Sequence, residues 1–322
     1  MYNTKPTVLV TAIGTAASTA IVSALKDTGS FYIIGADIYR REQVATAKDV
    51  DEFYTFPSAV ADQENYIDFE LSFCKKHGVS FCFATIDEEI ANVSAHREKF
   101  EEAGIKLCIP NAFLIETCHY KDRFFRWIEE NMPEIAVKTY RNEEDIDAYP
   151  LFIKPIEGRA SIGCSKVEDK ANLDRLIKEG ICLEDYVLQE FLDGEVVSVD
   201  MIRNASTGQK TQIQRVEEIR NSSGCGIAVQ IIRDEHLSDI CDELMEKLEL
   251  NGIVNAEFFR KDGKYRIIEV NPRLSAGTSF TMLAGLNTPL NALRIADGEA
   301  CVFGDITYGK HLAKRYETYV LD

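Results

Sequence analysis

No stretch of 18 or more apolar residues occurs in the 322-residue sequence, so no segment reads as a membrane-spanning helix. Nine cysteines are present, yet none forms a C-x-x-C pair, and the five histidines show no H-x-x-x-H spacing. A zinc site and a dithiol redox centre are therefore not expected. The first ten residues lack the charged-then-apolar layout of an export signal. The expectation is a cytoplasmic protein whose odd number of thiols stays reduced. Basic residues are in deficit, 36 Lys and Arg against 53 Asp and Glu, for a formal charge of -17. That balance argues against a broad nucleic-acid surface, which needs cations to displace counterions. Internal repeats and low-complexity linkers are absent as well.

Hydrophobic residues make up 45% of the chain and charged residues 28%, enough for two or three packed units. Residues 7–12 form a short apolar strand run, followed by Gly14-Thr15-Ala16 and a helical pattern to Lys26. A second strand spans 31–36 and ends at Asp37. Helix and strand patterns alternate again at 64–76, 79–84, 88–103 and 105–109. This βαβ alternation predicts a parallel, Rossmann-like sheet over about the first 115 residues. Its glycine loop lacks the second and third glycines of G-x-G-x-x-G, so a nicotinamide site has only Asp37 in its favour.

From 121 to 130 a helix is predicted, then a strand Pro150-Leu151-Phe152-Ile153-Lys154-Pro155 and a small-residue loop from Glu157 to Gly163. Strands follow at 164–167 and 186–191 with a helix at 169–179 between them. The remainder holds strands at 195–203 and 210–219, helices at 234–249 and about 279–296, and a hairpin. That hairpin runs Asn255-Ala256-Glu257-Phe258-Phe259, turns at Lys261-Asp262-Gly263-Lys264, and returns as Tyr265-Arg266-Ile267-Ile268-Glu269-Val270-Asn271-Pro272-Arg273. The pattern sets Glu257 across from Glu269, with the Asn271 amide oxygen two residues on. Carboxylates and an amide without His or Cys suit a hard cation such as Mg2+ that also holds phosphate oxygens. Arg273 adds a fixed positive charge beside them.

Taken together these segments resemble the ATP-grasp superfamily over nearly the whole chain, with most likeness to its carbamoyl-phosphate-synthase-like and carboxylate–amine ligase members. The fold implied is α/β and α+β: an N-terminal Rossmann-like pre-ATP-grasp domain, residues 1–117, then a two-subdomain ATP-grasp fold. The small subdomain with its glycine-rich lid would be 118–190, and the C-terminal subdomain with the metal site 191–322. The resemblance implies ATP and Mg2+, with Mn2+ as a substitute, held by Glu257, Glu269 and Asn271. Lys154 and Lys121 match the two nucleotide lysines, and an alternative alignment would use Arg123. Gly158 and Ser161 belong to the lid over the terminal phosphates. Gln189, Glu190 and Leu192 form the hinge, where the main chain of Glu190 and Leu192 would meet adenine, and Glu195 would meet the ribose. Arg273 matches the arginine that steadies the transferred phosphoryl group, and Arg220 and Arg215 lie where relatives carry a basic residue.

The activity implied is ATP-dependent ligation: a small-molecule carboxylate becomes an acylphosphate, an amine displaces phosphate, and ADP is released. Two alternatives stay open, phosphorylation of bicarbonate or carbamate as in carbamoyl-phosphate synthesis, and a non-catalytic ATP-binding regulator. Neither membrane nor nucleic acid is expected as a partner. Helices of the first domain could offer a homodimer face. Cys164 and Cys225 near the loops read as small filler, because no histidine stands at a spacing that would activate a thiol.

Overall fold

The computed structural model describes residues 5–158 and 162–321, the side chain of Glu64 excepted. Three sheets follow one another along the chain. The first is parallel and built from β1 (Thr7–Val10), β2 (Tyr32–Asp37), β3 (Glu52–Thr55), β4 (Val79–Phe83) and β5 (Lys106–Leu107), in the order β3-β2-β1-β4-β5. Its central strand TVLV is buried throughout, as a parallel strand covered on both faces must be. Helix α1 (Ala16–Thr28) starts where the Thr15 hydroxyl accepts the Ser18 N–H and stops at Gly29, which takes the left-handed conformation at φ 62°. Helix α2 (Gln63–His77) follows β3.

One continuous helix was expected over 88–103, and two are found, α3 (Asp87–Ala95) and α4 (Arg97–Glu102). His96 is the cause: its ring bonds the Asn92 carbonyl at 3.0 Å, the acceptor its own N–H would use in an unbroken helix. After α5 (Ala112–His119) and α6 (Lys121–Asn131) comes a small antiparallel sheet. It contains β6 (Thr139–Tyr140), β7 (Leu151–Pro155), β8 (Ser165–Val167) and β9 (Tyr186–Glu190), ordered β6-β9-β7-β8, with helix α7 (Lys170–Lys178) before β9.

The third sheet is antiparallel and six-stranded. Its strands are β10 (Glu195–Arg203), β11 (Lys210–Arg220), β12 (Gly226–Ile232), β13 (Gly252–Lys261), β14 (Lys264–Asn271) and β15 (His311–Ala313), in the order β14-β13-β10-β11-β12-β15. Helix α8 (Glu235–Lys247) buries Leu237, Ile240, Leu244 and Met245 against one face, in a core shared with Phe124, Phe125 and Ile128 of α6. The single helix expected over 279–296 is again two, α9 (Thr278–Leu283) and α10 (Thr288–Ala296). Gly285 breaks it at φ 116°, where a Cβ would come within 2.3 Å of the Asp305 carbonyl. These helices cover the other face of the third sheet and pack on α1. As a result Val8, Val10, Ile21 and Leu25 of the first unit share one apolar core with Ile202, Ile213, Ile253 and Phe280 of the third. The small sheet keeps a core of its own, Tyr140, Leu151, Ile153, Val167, Leu173 and Leu188.

Two buried carboxylates lie inside the first unit. Glu89 accepts from the Thr11 hydroxyl at 2.8 Å and from the Tyr66 hydroxyl. Among the described residues Glu70 accepts only the weak Cys82 thiol at 3.2 Å, and its Oε2 has no partner. Burial, then the charge of Glu89, pushes Glu70 up to about 8. Folded Glu70 therefore keeps a proton that the unfolded chain gives up near the ordinary carboxylate pKa. Its contribution to stability is complete below that ordinary value and is lost as pH rises towards about 8. Glu70→Gln, which cannot ionise, should melt a few degrees above the parent at pH 8 and show a smaller gap at pH 5. Thermal unfolding monitored by circular dichroism across that range checks this.

Candidate functional site

The hairpin is closed by Asp262 and Gly263, both at positive φ (51° and 71°), the backbone that a two-residue loop between twisted strands requires. From that turn the register carries Lys261 opposite Lys264, Glu257 opposite Glu269 and Asn255 opposite Asn271. A register shift between Glu257 and Phe258 leaves Ile268 without an opposite number. Its carbonyl instead accepts the Lys154 ammonium at 3.2 Å, which ties β7 of the small sheet to the metal-candidate strand. Lys154 is buried, stands 4.4 Å from the centre of the Phe125 ring, and is pushed down to about 8 by loss of solvent, against the pull of Glu269.

Glu257 belongs to a cross-strand row that reads Glu269, Glu257, Ser198, Arg215. Burial and the charge of Glu269 push its carboxyl up to about 7, while Arg220 works in the opposite direction. Arg220 donates to Glu257 Oε2 at 2.6 Å. Pairing of these glutamates with Lys264 or Arg266, the surface alternative, is not what forms: Arg266 bonds the Glu134 carbonyl. Asn271 donates to Glu269 at 2.9 Å and turns its amide oxygen to Arg273 at 3.1 Å. A ligand role for Asn271 requires that oxygen to leave the arginine.

Arg273 grips Asp87, at the first turn of α3, through Nε at 2.7 Å and Nη2 at 3.2 Å. Arg273 is thereby fastened to the first unit beside the facing carboxylates. Lys121 points its ammonium at the Gly158 carbonyl at 2.8 Å, whereas Arg123 is exposed, 4.6 Å from the Tyr120 ring and 3.9 Å from Glu116. Of the two rival cations, Lys121 is the one at the lid. Gly158 takes φ 138° with open space around it. Ser161 lies outside the described residues.

At the hinge the side chains serve the sheet. Gln189 is buried and donates to the Thr139 hydroxyl at 3.0 Å. The Glu190 N–H bonds the Lys138 carbonyl at 3.0 Å, and its carboxylate takes the Lys138 N–H at 3.1 Å. Leu192 follows β9, and among the described residues no hydrogen bond engages its N–H. Glu195 is exposed, and its Oε2 alone accepts both Nε and Nη2 of Arg260, at 3.0 and 2.8 Å. Arg215 is fully buried and is a structural node. It bonds Asp200 (2.7 Å), Thr281 (2.6 Å) and Ser198 (3.0 Å), and Asn255 joins the same Asp200 at 2.8 Å. Gly277 admits this guanidinium, since a Cβ there would lie 2.6 Å from it. Ser198, Asp200, Asn255, Glu217 and Lys314, whose ammonium reaches the Ala276 carbonyl at 2.6 Å, complete the surroundings, and sequence reading did not single them out.

In the first unit the loop after β1 is already filled. The Gly14 N–H bonds Asp37 Oδ2 at 2.9 Å, and Asp37 is buried. The carboxylate that would favour a dinucleotide is thus engaged by the first amide of that loop. Burial raises the Cys164 thiol, in keeping with filler.

The donor set fits a hard divalent cation. It consists of oxygens, the two carboxylates oppose each other, and a cation already stands on one of them. Among the described residues no group of three or more His, Cys, Asp or Glu is arranged as a metal cage. Two carboxylates leave coordination positions for phosphate oxygens.

Residues 8–108 match the family described as the PylC-like N-terminal domain, and residues 183–314 match ATP-grasp in the biosynthetic pathway with Ter operon. The chain is similar to the arginine-specific carbamoyl phosphate synthase large chain of Geobacillus stearothermophilus, 28% identical over 189 residues, 54% of this chain and 18% of that one. It is similar to D-alanine–D-alanine ligase of Acetivibrio thermocellus, 26% identical over 166 residues, 45% of this chain and 44% of the ligase. The matched stretches thus span less than half the length of these curated relatives. In fold it is similar to the biotin carboxylase domain of Hydrogenobacter thermophilus 2-oxoglutarate carboxylase, solved with MgADP, ADP and bicarbonate. The TM-score is 0.77 at 16% identity, over 96% of this chain and 74% of that one. With its Rossmann-like first sheet, its small antiparallel sheet and its carboxylate-lined third sheet, the chain carries an ATP-grasp segment at residues 183–314 behind a PylC-like N-terminal domain at 8–108.

Proposed function

We propose that the protein is an ADP-forming ligase that joins a small-molecule carboxylate to an amine through an acylphosphate. The observation that carries this is the facing pair Glu257–Glu269 with buried Lys154 anchored one residue away, at Ile268. Glu257, Glu269 and, once released from Arg273, Asn271 would hold Mg2+, which supplies positive charge to the phosphate oxygens. Lys154 and Lys121 enter from the small sheet and the start of α6, and Gly158 lies in the lid. Desolvation of Lys154 strengthens its attraction for an incoming phosphate. The lid over residues 157–163 would keep water from the acylphosphate. Adenine would meet the main chain at Glu190 and Leu192, and Glu195 would have to exchange Arg260 for ribose hydroxyls. Arg273 and the turn Ser275-Ala276-Gly277 are the proposed seat of the substrate carboxylate, on the side facing Asp87.

Similarity to D-alanine–D-alanine ligase supports the C–N ligase reading. Similarity to a carbamoyl phosphate synthase supports a second one, phosphorylation of bicarbonate or carbamate. Bicarbonate-dependent ATP hydrolysis without an amine acceptor would favour the second. A non-catalytic regulator is disfavoured by the clustering of Lys154, Glu257 and Glu269. A homodimer is proposed alongside, since the similar biotin carboxylase domain was solved as a dimer. Among the described residues no helix is long and apolar enough to cross a membrane.

The decisive experiment is a screen of amino acids and other carboxylates, paired with amines, for phosphate release with Mg-ATP. Pair-dependent release is expected, and ADP formation without any pair dependence would count against ligation. Glu269→Gln should lower turnover at least a hundredfold with an unchanged circular-dichroism spectrum. Full turnover in that variant would remove Glu269 from the metal site. Lys154→Met removes a largely desolvated charge from beside the Phe125 ring while keeping its volume. It should melt at or above the parent temperature and bind ADP at least tenfold more weakly, as calorimetry would show.

A further inference from the structure

Strict alternation along β11 would point Arg215, Glu217 and Ile219 to the inner face and Arg220 to the outer one. Arg215 and Glu217 do face inward. Two register shifts then intervene, between Glu217 and Ile219 and between Ile219 and Arg220. They turn Ile219 out, 58% exposed, and bring Arg220 in to meet Glu257. Arg220 is held at its neck as well, since Nε donates to the Gly224 carbonyl at 2.6 Å. The turn that offers this carbonyl is fixed by Asn221, which accepts the N–H groups of Ser223 and Cys225 at 3.0 and 2.9 Å.

Beside this arginine lies a carboxylate with nothing to bind. The Glu217 side chain is 6% exposed and its Oε2 is buried without a hydrogen-bond partner. Its closest cation, Arg215 Nε, stands 3.9 Å from the other oxygen, too far for a hydrogen bond. Gly226 makes the room, because a Cβ there would fall 1.8 Å from Glu217 Oε2. Burial raises the Glu217 carboxyl, while Arg215 and Arg220 draw it down. A buried acceptor left unmatched is costly, and a guanidinium whose charge already acts on Glu217 would remove that cost by bonding it.

We propose that Arg220 is a placeholder for the metal, and that Glu217 is the carboxylate that receives its guanidinium when a divalent cation takes Glu257. This rests on the metal site of the proposed function. Without a metal, Arg220 neutralises Glu257 and keeps it from repelling Glu269. A divalent ion on Glu257 repels the guanidinium and occupies the same oxygen. Arg220 then pivots about its bond to Gly224 and meets the open Oε2 of Glu217. The site gains the two positive charges of the metal, and Arg220 stays within it, moved from one carboxylate to its neighbour. Arg220 and Glu217 are in this sense positioning residues for the metal.

Mn2+ serves as the probe. With the full chain and no nucleotide, bound Mn2+ is counted by loss of the electron paramagnetic resonance signal of the free aqua ion, so no turnover is needed. Arg220→Met removes the competitor and should tighten Mn2+ about tenfold. Glu217→Gln leaves the displaced arginine without its carboxylate and should weaken Mn2+ several-fold. In the double variant the Glu217 effect should largely vanish, because no arginine needs a seat. Arg220→Gln repeats the test should the methionine variant misfold. Weaker Mn2+ binding by both Arg220 variants overturns the proposal. So does an equal effect of Glu217→Gln with and without Arg220, since that is simple attraction of Mn2+ to negative charge. Failure of the metal site itself is distinguished by Glu269→Gln, which would then leave Mn2+ binding untouched.

Discussion

Glu257 and Glu269 face each other across one rung of the β13–β14 ladder, and like charges so placed repel unless a cation stands with them. Much of the surrounding chemistry follows from meeting that condition. Arg220 supplies one cation directly, at the cost of two register shifts in β11. Lys154 supplies another from a different sheet, and the bulge at Ile268 gives it a carbonyl to hold. Asn271 shields Glu269 with its amide, and Arg273 then aligns Asn271. Remove the opposed carboxylates and these four side chains lose their reason to converge.

The apolar interior divides the same residues differently. The first unit and the third sheet share one core, so Asp87 and Arg273 are brought together by packing that continues well beyond their ion pair. The small sheet has a core of its own, and it meets the third sheet through Val187, which joins that sheet's apolar cluster, and through Lys154 at the site. Lys154 and the facing carboxylates thus sit on different sheets that come together at the site. Ligand binding at such a seam can tighten it without disturbing either core.

Much of this was legible in the sequence because it depends on local patterns. The Asp-Gly turn fixed the hairpin register, and with it the opposition of Glu257 and Glu269. Alternating strand and helix patterns gave the parallel first sheet. What stayed hidden depends on departures from periodicity or on long-range partners. The inward turn of Arg220 arises from bulges, which leave no two-residue signature. The helix breaks at His96 and Gly285 come from a side chain competing for a carbonyl and from backbone packed against Asp305. Asp200, Asn255 and Glu217 looked like ordinary strand residues, since their meaning lies in neighbours on other strands. The edge strands β3, β6 and β15 were too short to stand out from their loops.

Asp37 carries a consequence for how the first unit is used. Its carboxylate, held by the Gly14 N–H and also by the Tyr39 N–H at 3.1 Å, acts as the loop's own built-in anion. In this Rossmann-like sheet one amide of the loop is taken by a carboxylate of the chain itself. The unit also presents a wall towards Arg273, at Asp87, whose shape the fold supplies. Variation in that wall can retune what the neighbouring site accepts while the nucleotide machinery stays as it is.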